Sequence, residues 1–204
     1  NFLDLYRSFD APCTNLDCGR ECAPHNPSGK PFCCDICRAV PVAYKSEWTT
    51  LQSNTSLWHK WKGNECLEEP VNRKDLESQT PDHLTLLACK GPQFCEREFR
   101  AVSCRQFPFF PYITTDFRFI GLAYDWDFSG VCWVLSHLNQ VTKEYRRQFI
   151  LTFDRIFSTW LEDFDSYAQL SEEMREHFVK TRKRFPLLHR NGSDYLVSPG
   201  SGRL

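Results

Sequence analysis

Eleven cysteines occur in this 204-residue chain, and their spacing points to chemistry more than their number does. Five fall between Cys18 and Cys37, in CGRECAPHNPSGKPFCCDIC, and three more follow at Cys89, Cys95 and Cys104. Gly19, Pro24, Pro27, Gly29 and Pro31 interrupt the first group, so its backbone predicts a turning loop from which several sulfurs can face one centre. Converging thiolates are ligands for zinc or for an iron–sulfur cluster. The candidate ligands are Cys18, Cys22, Cys33, Cys34, Cys37, Cys89, Cys95, Cys104 and Cys132.

Cys33 and Cys34 are neighbours, and neighbouring side chains on extended backbone point to opposite sides. The pair therefore suits two sites, or two irons of one cluster, or one ligand beside a packed thiol. Cys37, three residues after Cys34, is a spare ligand. Cys132 follows Gly130 after an aromatic turn, where a distant ligand can join a site. Cys13 reads as a packed thiol, as does Cys66, which stands alone in a polar connection. A closed zinc site needs only four ligands, so eight or more candidate thiols with few nearby histidines favour a 4Fe–4S cluster, with zinc as the alternative. His25, inside the loop, reads as solvated.

Several thiolates on one centre leave excess negative charge, which a protein interior must offset. Lys90, Arg97, Arg100 and Arg105 are placed in sequence to do so. Arginine stays protonated in apolar surroundings and its fork donates several hydrogen bonds. Arg100 and Arg105 are therefore expected to support the ligands from behind.

The order Cys18-x3-Cys22-x10-Cys33-Cys34, then Cys89-x5-Cys95-x8-Cys104, resembles the YkgJ-type (CxxCxxCC) cysteine-cluster family of zinc- or iron-chelating proteins. Arg100 stands in that family's arginine position, and Cys104 to Pro108, CRQFP, matches its closing motif. The first group is expanded by APHNPSGKPF, and Ala101 replaces the usual proline. The resemblance covers roughly residues 13 to 135 and implies a cysteine-ligated metal centre. A related cysteine region in flagellin lysine N-methylases implies a cluster-dependent modifying activity as one use.

The elements that must position these residues follow from periodicity. Phe2, Leu3, Leu5, Tyr6 and Phe9 predict a short helical or extended arm ended by Pro12, covering the cysteine region. Pro41 to Lys62 predicts a helix opened by proline and carrying Trp48, Leu51, Leu57, Trp58 and Trp61. Residues 63–81 read as a surface connection, and DHLTLLACK as an apolar run into Cys89. Pro108 and Pro111 end any helix there, and Phe117 to Trp133 reads as strand and turn broken by Gly121 and Gly130. Leu138, Val141, Tyr145, Phe149, Phe153, Ile156, Trp160 and Phe164 mark a long amphipathic helix. A second helix is expected after a Ser171 cap, stopped by Pro186, and then a turn or short hairpin and a tail.

The expected fold is α-rich or α+β: a single domain with a cysteine-cluster region over 13–135, a helical layer over 136–185 and a tail over 186–204. Hydrophobic residues make up 41% of the chain and aromatics 15%, enough for a core that does not depend on disulfide staples. The formal charge of −1 argues against nucleic acid or an anionic membrane as partner. No run of 18 apolar residues is present, so no membrane span is expected. An odd number of thiols kept as ligands suits the reducing cytoplasm, and the sequons at Asn54 and Asn191 matter only for a secreted chain. Three uses fit: a cluster serving redox or substrate activation, a metal or oxygen sensor with a protein or redox partner, and a structural zinc module. Neither a nucleophile with its base nor a glycine-rich cofactor motif stands out, so no reaction is assigned.

Overall fold

The computed structural model describes residues 1–66 and 73–200. Helices and antiparallel strands are mixed, with a long helix pair near the carboxyl end, which is the α+β class expected. The chain forms two compact units that interleave in sequence. The first holds Asn1–Asp10, Leu16–Phe107 and Val131–Trp133, and the second holds Ala11–Asn15, Pro108–Gly130 and Val134–Leu204. The division does not fall at residue 135, because Pro108–Gly130 goes with the carboxyl-terminal helices.

In the first unit, helix α1 (Phe2–Ser8) is capped by the Asn1 side chain and buries Phe2, Leu5 and Tyr6, one face at helical spacing. Helix α2 (Cys18–Cys22) follows, capped by Asp17. Strand β1 (Val42–Tyr44), helix α3 (Lys45–Asn54), strand β2 (Trp58–Lys60), helix α4 (Arg73–Gln79) and strand β3 (Leu84–Cys89) come next. The strands form one antiparallel sheet in the order β1-β3-β2, with Val42 opposite Leu86 and Trp58 opposite Cys89. The single helix expected from Pro41 is thus a strand, a helix and a second strand. Its β-branched and aromatic ends, Val42 to Tyr44 and Trp58, pair with β3 instead of continuing the helix. Within the 63–81 connection, residues 67–72 lie outside the described set, and α4 follows them. Helix α5 (Val102–Gln106) closes the unit's main segment.

The second unit is a four-stranded antiparallel sheet, β4 (Phe109–Ile113), β5 (Phe119–Tyr124), β6 (Phe185–His189) and β7 (Asp194–Val197), in that order. Short helix α6 (Trp133–Ser136) precedes the pair α7 (Lys143–Thr159) and α8 (Leu161–Thr181), with α7 against β5 and α8 against β4. Tyr145, Phe149, Phe153 and Ile156 form the buried stripe of α7. The helix begins at a Thr142 cap and ends before Trp160. Ser171 is not a cap. It sits within α8, fully buried, donating to the Tyr167 carbonyl at 2.7 Å and accepting from the Ile113 backbone N–H at 3.0 Å. Nor does Pro186 stop that helix, which ends at left-handed Arg182, while Pro186 lies in β6. Gly121 does not break a strand: a Cβ there would overlap the Leu188 carbonyl oxygen and come within 2.9 Å of the His189 Cα, so glycine permits β5 and β6 to approach. The expected hairpin is β6–β7, turning at Gly192 with φ +92°.

Candidate metal centre

The thiols are delivered by loop and helix ends of the first unit. Asp17 accepts from the Gly19 N–H at 3.1 Å and opens α2, which carries Cys18. The inserted loop closes on Asp35. Asn26 Nδ2 and Ser28 Oγ donate to its Oδ2 at 2.9 and 2.7 Å, and the Cys37 N–H donates to its Oδ1 at 3.1 Å. These bonds fold residues 26–37 into a compact turn on which Phe32–Cys34 forms a single helical turn. On the other side β3 ends at Cys89, Gly91 takes φ +105°, and Pro92–Phe94 turns the chain into Cys95. Cys104 lies on α5, whose first N–H, from Val102, donates to Glu47 Oε1 at 2.8 Å.

Six cysteines, Cys18, Cys33, Cys34, Cys89, Cys95 and Cys104, line one cavity of about 270 Å³. The two sequence groups therefore meet. Arg100 and Asp17 supply its charged wall, and Trp58, Leu57 and Ile36 part of its apolar wall. Arg100 Nε donates to Cys95 Sγ at 3.1 Å. The Cys33 and Cys34 sulfurs are 3.9 Å apart, because a tight helical turn brings neighbouring side chains to one side where an extended backbone would not. Trp58 is fixed by its Nε1–H, which donates to the Phe99 carbonyl at 2.8 Å.

The thiols are electrostatically linked. Burial pushes the Cys104 thiol up, and the neighbouring Cys89, Cys34 and Cys95 add to the rise while Arg100 opposes it. Burial likewise raises Cys89. Cys33 is raised by its hydrogen bond to Cys34 and then by burial. Cys34 moves down through its hydrogen bond with Cys33 and, against burial, the nearby Arg100 charge. Burial lowers Arg100, but the Cys95 hydrogen bond and the surrounding sulfurs outweigh it and hold the guanidinium charged. Among the described residues no three His, Cys, Asp or Glu side chains are arranged to hold a metal ion.

The remaining candidates lie elsewhere. Cys37 is disulfide-bonded to Cys66 with Cα atoms 5.6 Å apart, which removes it from the ligand set as it stands and corrects the expectation of a lone Cys66. Cys22 is buried, with its S–H directed to the Gly19 carbonyl at 3.7 Å. Cys132 belongs to the first unit but does not line the cavity. Arg105 takes a different role from the one expected. Its guanidinium donates to the carbonyls of Tyr6, Phe9, Arg97, Glu98 and Arg100, pairs with Asp10 at 3.4 Å and stacks over the Tyr6 ring at 4.7 Å. It staples α1 to the backbone of the Cys95–Cys104 segment. Glu47 carries no sequence signal for its part. Fully buried, it accepts from Tyr6 Oη and Val102 N–H through Oε1 and from Tyr44 N–H through Oε2. Burial raises its pKa to about 7.

No family model, curated protein or solved structure matches the chain. No helix among the described residues is long and apolar enough to cross a membrane.

Proposed function

We propose that the chain holds a cysteine-ligated metal centre, an iron–sulfur cluster of the 4Fe–4S type, in the thiol cavity of its first unit. The carrying observation is that six cysteines from two separate sequence groups line one cavity with an arginine among them. Cys34, Cys89, Cys95 and Cys104 are the ligands put forward, four cavity thiols drawn from both sequence groups, with Arg100 hydrogen-bonded to Cys95 among them. Cys18 and Cys33 line the same wall and are the reserve ligands.

The donor set fits such a group. Its thiol donors are all sulfur, the ligand type of iron–sulfur clusters, and six of them line the one cavity, more than the four a closed zinc site uses. A bound cluster supplies one-electron redox chemistry or, with an iron left open, substrate activation. The chain's own residues do the rest. Arg100 donates to a ligand sulfur and offsets thiolate charge, Trp58 and Leu57 exclude water from one side, and the Asp35 network holds the Cys33–Cys34 turn. The YkgJ-type resemblance points the same way, and a reducing compartment, the cytoplasm, keeps these thiols available. A structural zinc module is the alternative, since four of these cavity thiols suffice for a closed tetrahedral site.

Iron, zinc and acid-labile sulfide measured on protein purified without oxygen test the reading. Iron with matching sulfide and an absorption band near about 400 nm is the expected result. Zinc without sulfide establishes the module instead, and the absence of both metals removes the proposal.

A further inference from the structure

We infer that the Cys37–Cys66 disulfide is a redox latch on the thiol cavity, opened by a dithiol reductant, that sets how fast the centre exchanges metal. This rests on the metal-binding reading above. The bridge begins one residue after Ile36, which lines the cavity together with Cys33 and Cys34. It ends on the segment beyond Trp61, a member of the Trp61–Leu86–Ala88 cluster against which Ile36 and Val40 pack. The loop presenting two thiols is therefore fastened at its far end by one covalent bond across 29 residues of sequence. The other nine cysteines are outside disulfides.

Access is one-sided. Cys66 is 8% exposed, while Cys37 is half-buried. A reductant thiolate attacks the Cys37 sulfur, the S–S bond breaks, and Cys66 leaves as thiolate and takes a proton. The reductant's second thiol then attacks the mixed disulfide, releasing Cys37 and leaving the reductant oxidised by two electrons. With the bridge open, the turn is held by non-covalent contacts only, the Asp35 hydrogen bonds and the packing of Ile36 and Val40. Loss of such outer support should speed metal release roughly tenfold.

The test compares metal release to a chelator from three oxygen-free preparations. These are bridged protein, protein reduced by a dithiol that is then removed, and the double variant Cys37→Ser/Cys66→Ser, with bridge status read by iodoacetamide mass mapping. Slow release from bridged protein, with equal and faster release from the other two, supports the latch. Equal rates in all three overturn it, as does a bridge that mass mapping never finds. Reduced wild-type protein keeps the comparison alive if the double variant does not fold. Metal bound at one common rate removes the latch alone, whereas no metal in any preparation removes the underlying reading as well.

Discussion

Arg100 Nε lies 3.1 Å from Cys95 Sγ, so one fixed cation donates to a sulfur at the wall of a six-thiol cavity. A hydrogen bond to a ligand sulfur stabilises added negative charge and raises the potential of a cluster. On the proposed cluster reading, Arg100→Met lowers the reduction potential and weakens metal retention by roughly tenfold or more. Protein-film voltammetry and chelator competition read the two effects; an unchanged potential would remove Arg100 from the set.

Under the proposed metal reading, Cys104→Ser strips metal from the purified protein and lowers its thermal midpoint, because metal-binding free energy is in part folding free energy. Cys22→Ser should leave metal content unchanged, since Cys22 points its S–H at a carbonyl and does not line the cavity. Elemental analysis of both variants discriminates ligand from bystander.

Arg105→Met should destabilise the apoprotein by about 3 kcal/mol or more, because it takes a donor from buried carbonyls. The carbonyls of Tyr6, Phe9, Arg97, Glu98 and Arg100 lose this donor, though Tyr6 and Arg97 each still accept from a backbone N–H, of Phe9 and Arg100. Arg97→Ala, at a side chain 48% exposed, should stay within about 1 kcal/mol of wild type. Urea unfolding measures both, and equal losses would refute the staple.

Glu47 binds its proton more tightly folded than unfolded, so its contribution to stability is fully present below its ordinary carboxylate range and is lost as pH rises through about 7. The rise from 4.5 to about 7 corresponds to on the order of 3 kcal/mol. Wild-type apoprotein should lose stability between about pH 5 and 8 relative to Glu47→Gln, in which that titration is absent. Parallel pH profiles of the two proteins would show that the carboxyl group does not titrate in this window.

Gly121→Ala should destabilise the second unit by about 2 kcal/mol or more, since the new methyl must push β6 away at Leu188. Thermal unfolding followed by near-ultraviolet circular dichroism reports it.

The aromatic spacing of α7 and the turn chemistry at Asn191-Gly192 were legible because each is a local signal, a helical period in one case and a turn dipeptide in the other. The gathering of Cys33, Cys34, Cys89, Cys95 and Cys104 was also foreshadowed, since two thiol-rich groups of similar chemistry suggest a shared site. What stayed hidden was decided by tertiary partners. Trp58 shows helical spacing with Trp48 and Leu51, yet it pairs opposite Cys89 because β3 offers a strand edge. Ser171 looks like a cap until the Ile113 backbone is found beside it. Arg105 resembles a thiolate partner by position, but five carbonyls claim its donors first. Cys37 and Cys66 are separated by 29 residues, and no spacing rule pairs them.

The interleaving of the two units bears on how the protein is made. Residues up to Phe107 supply all of the first unit except Val131–Trp133. A growing polypeptide leaves the ribosome amino end first, at about 5 to 20 residues per second. Nearly the whole thiol-bearing unit thus emerges seconds before α7 and α8 exist, so the six thiols of its cavity are all synthesised ahead of the helix pair.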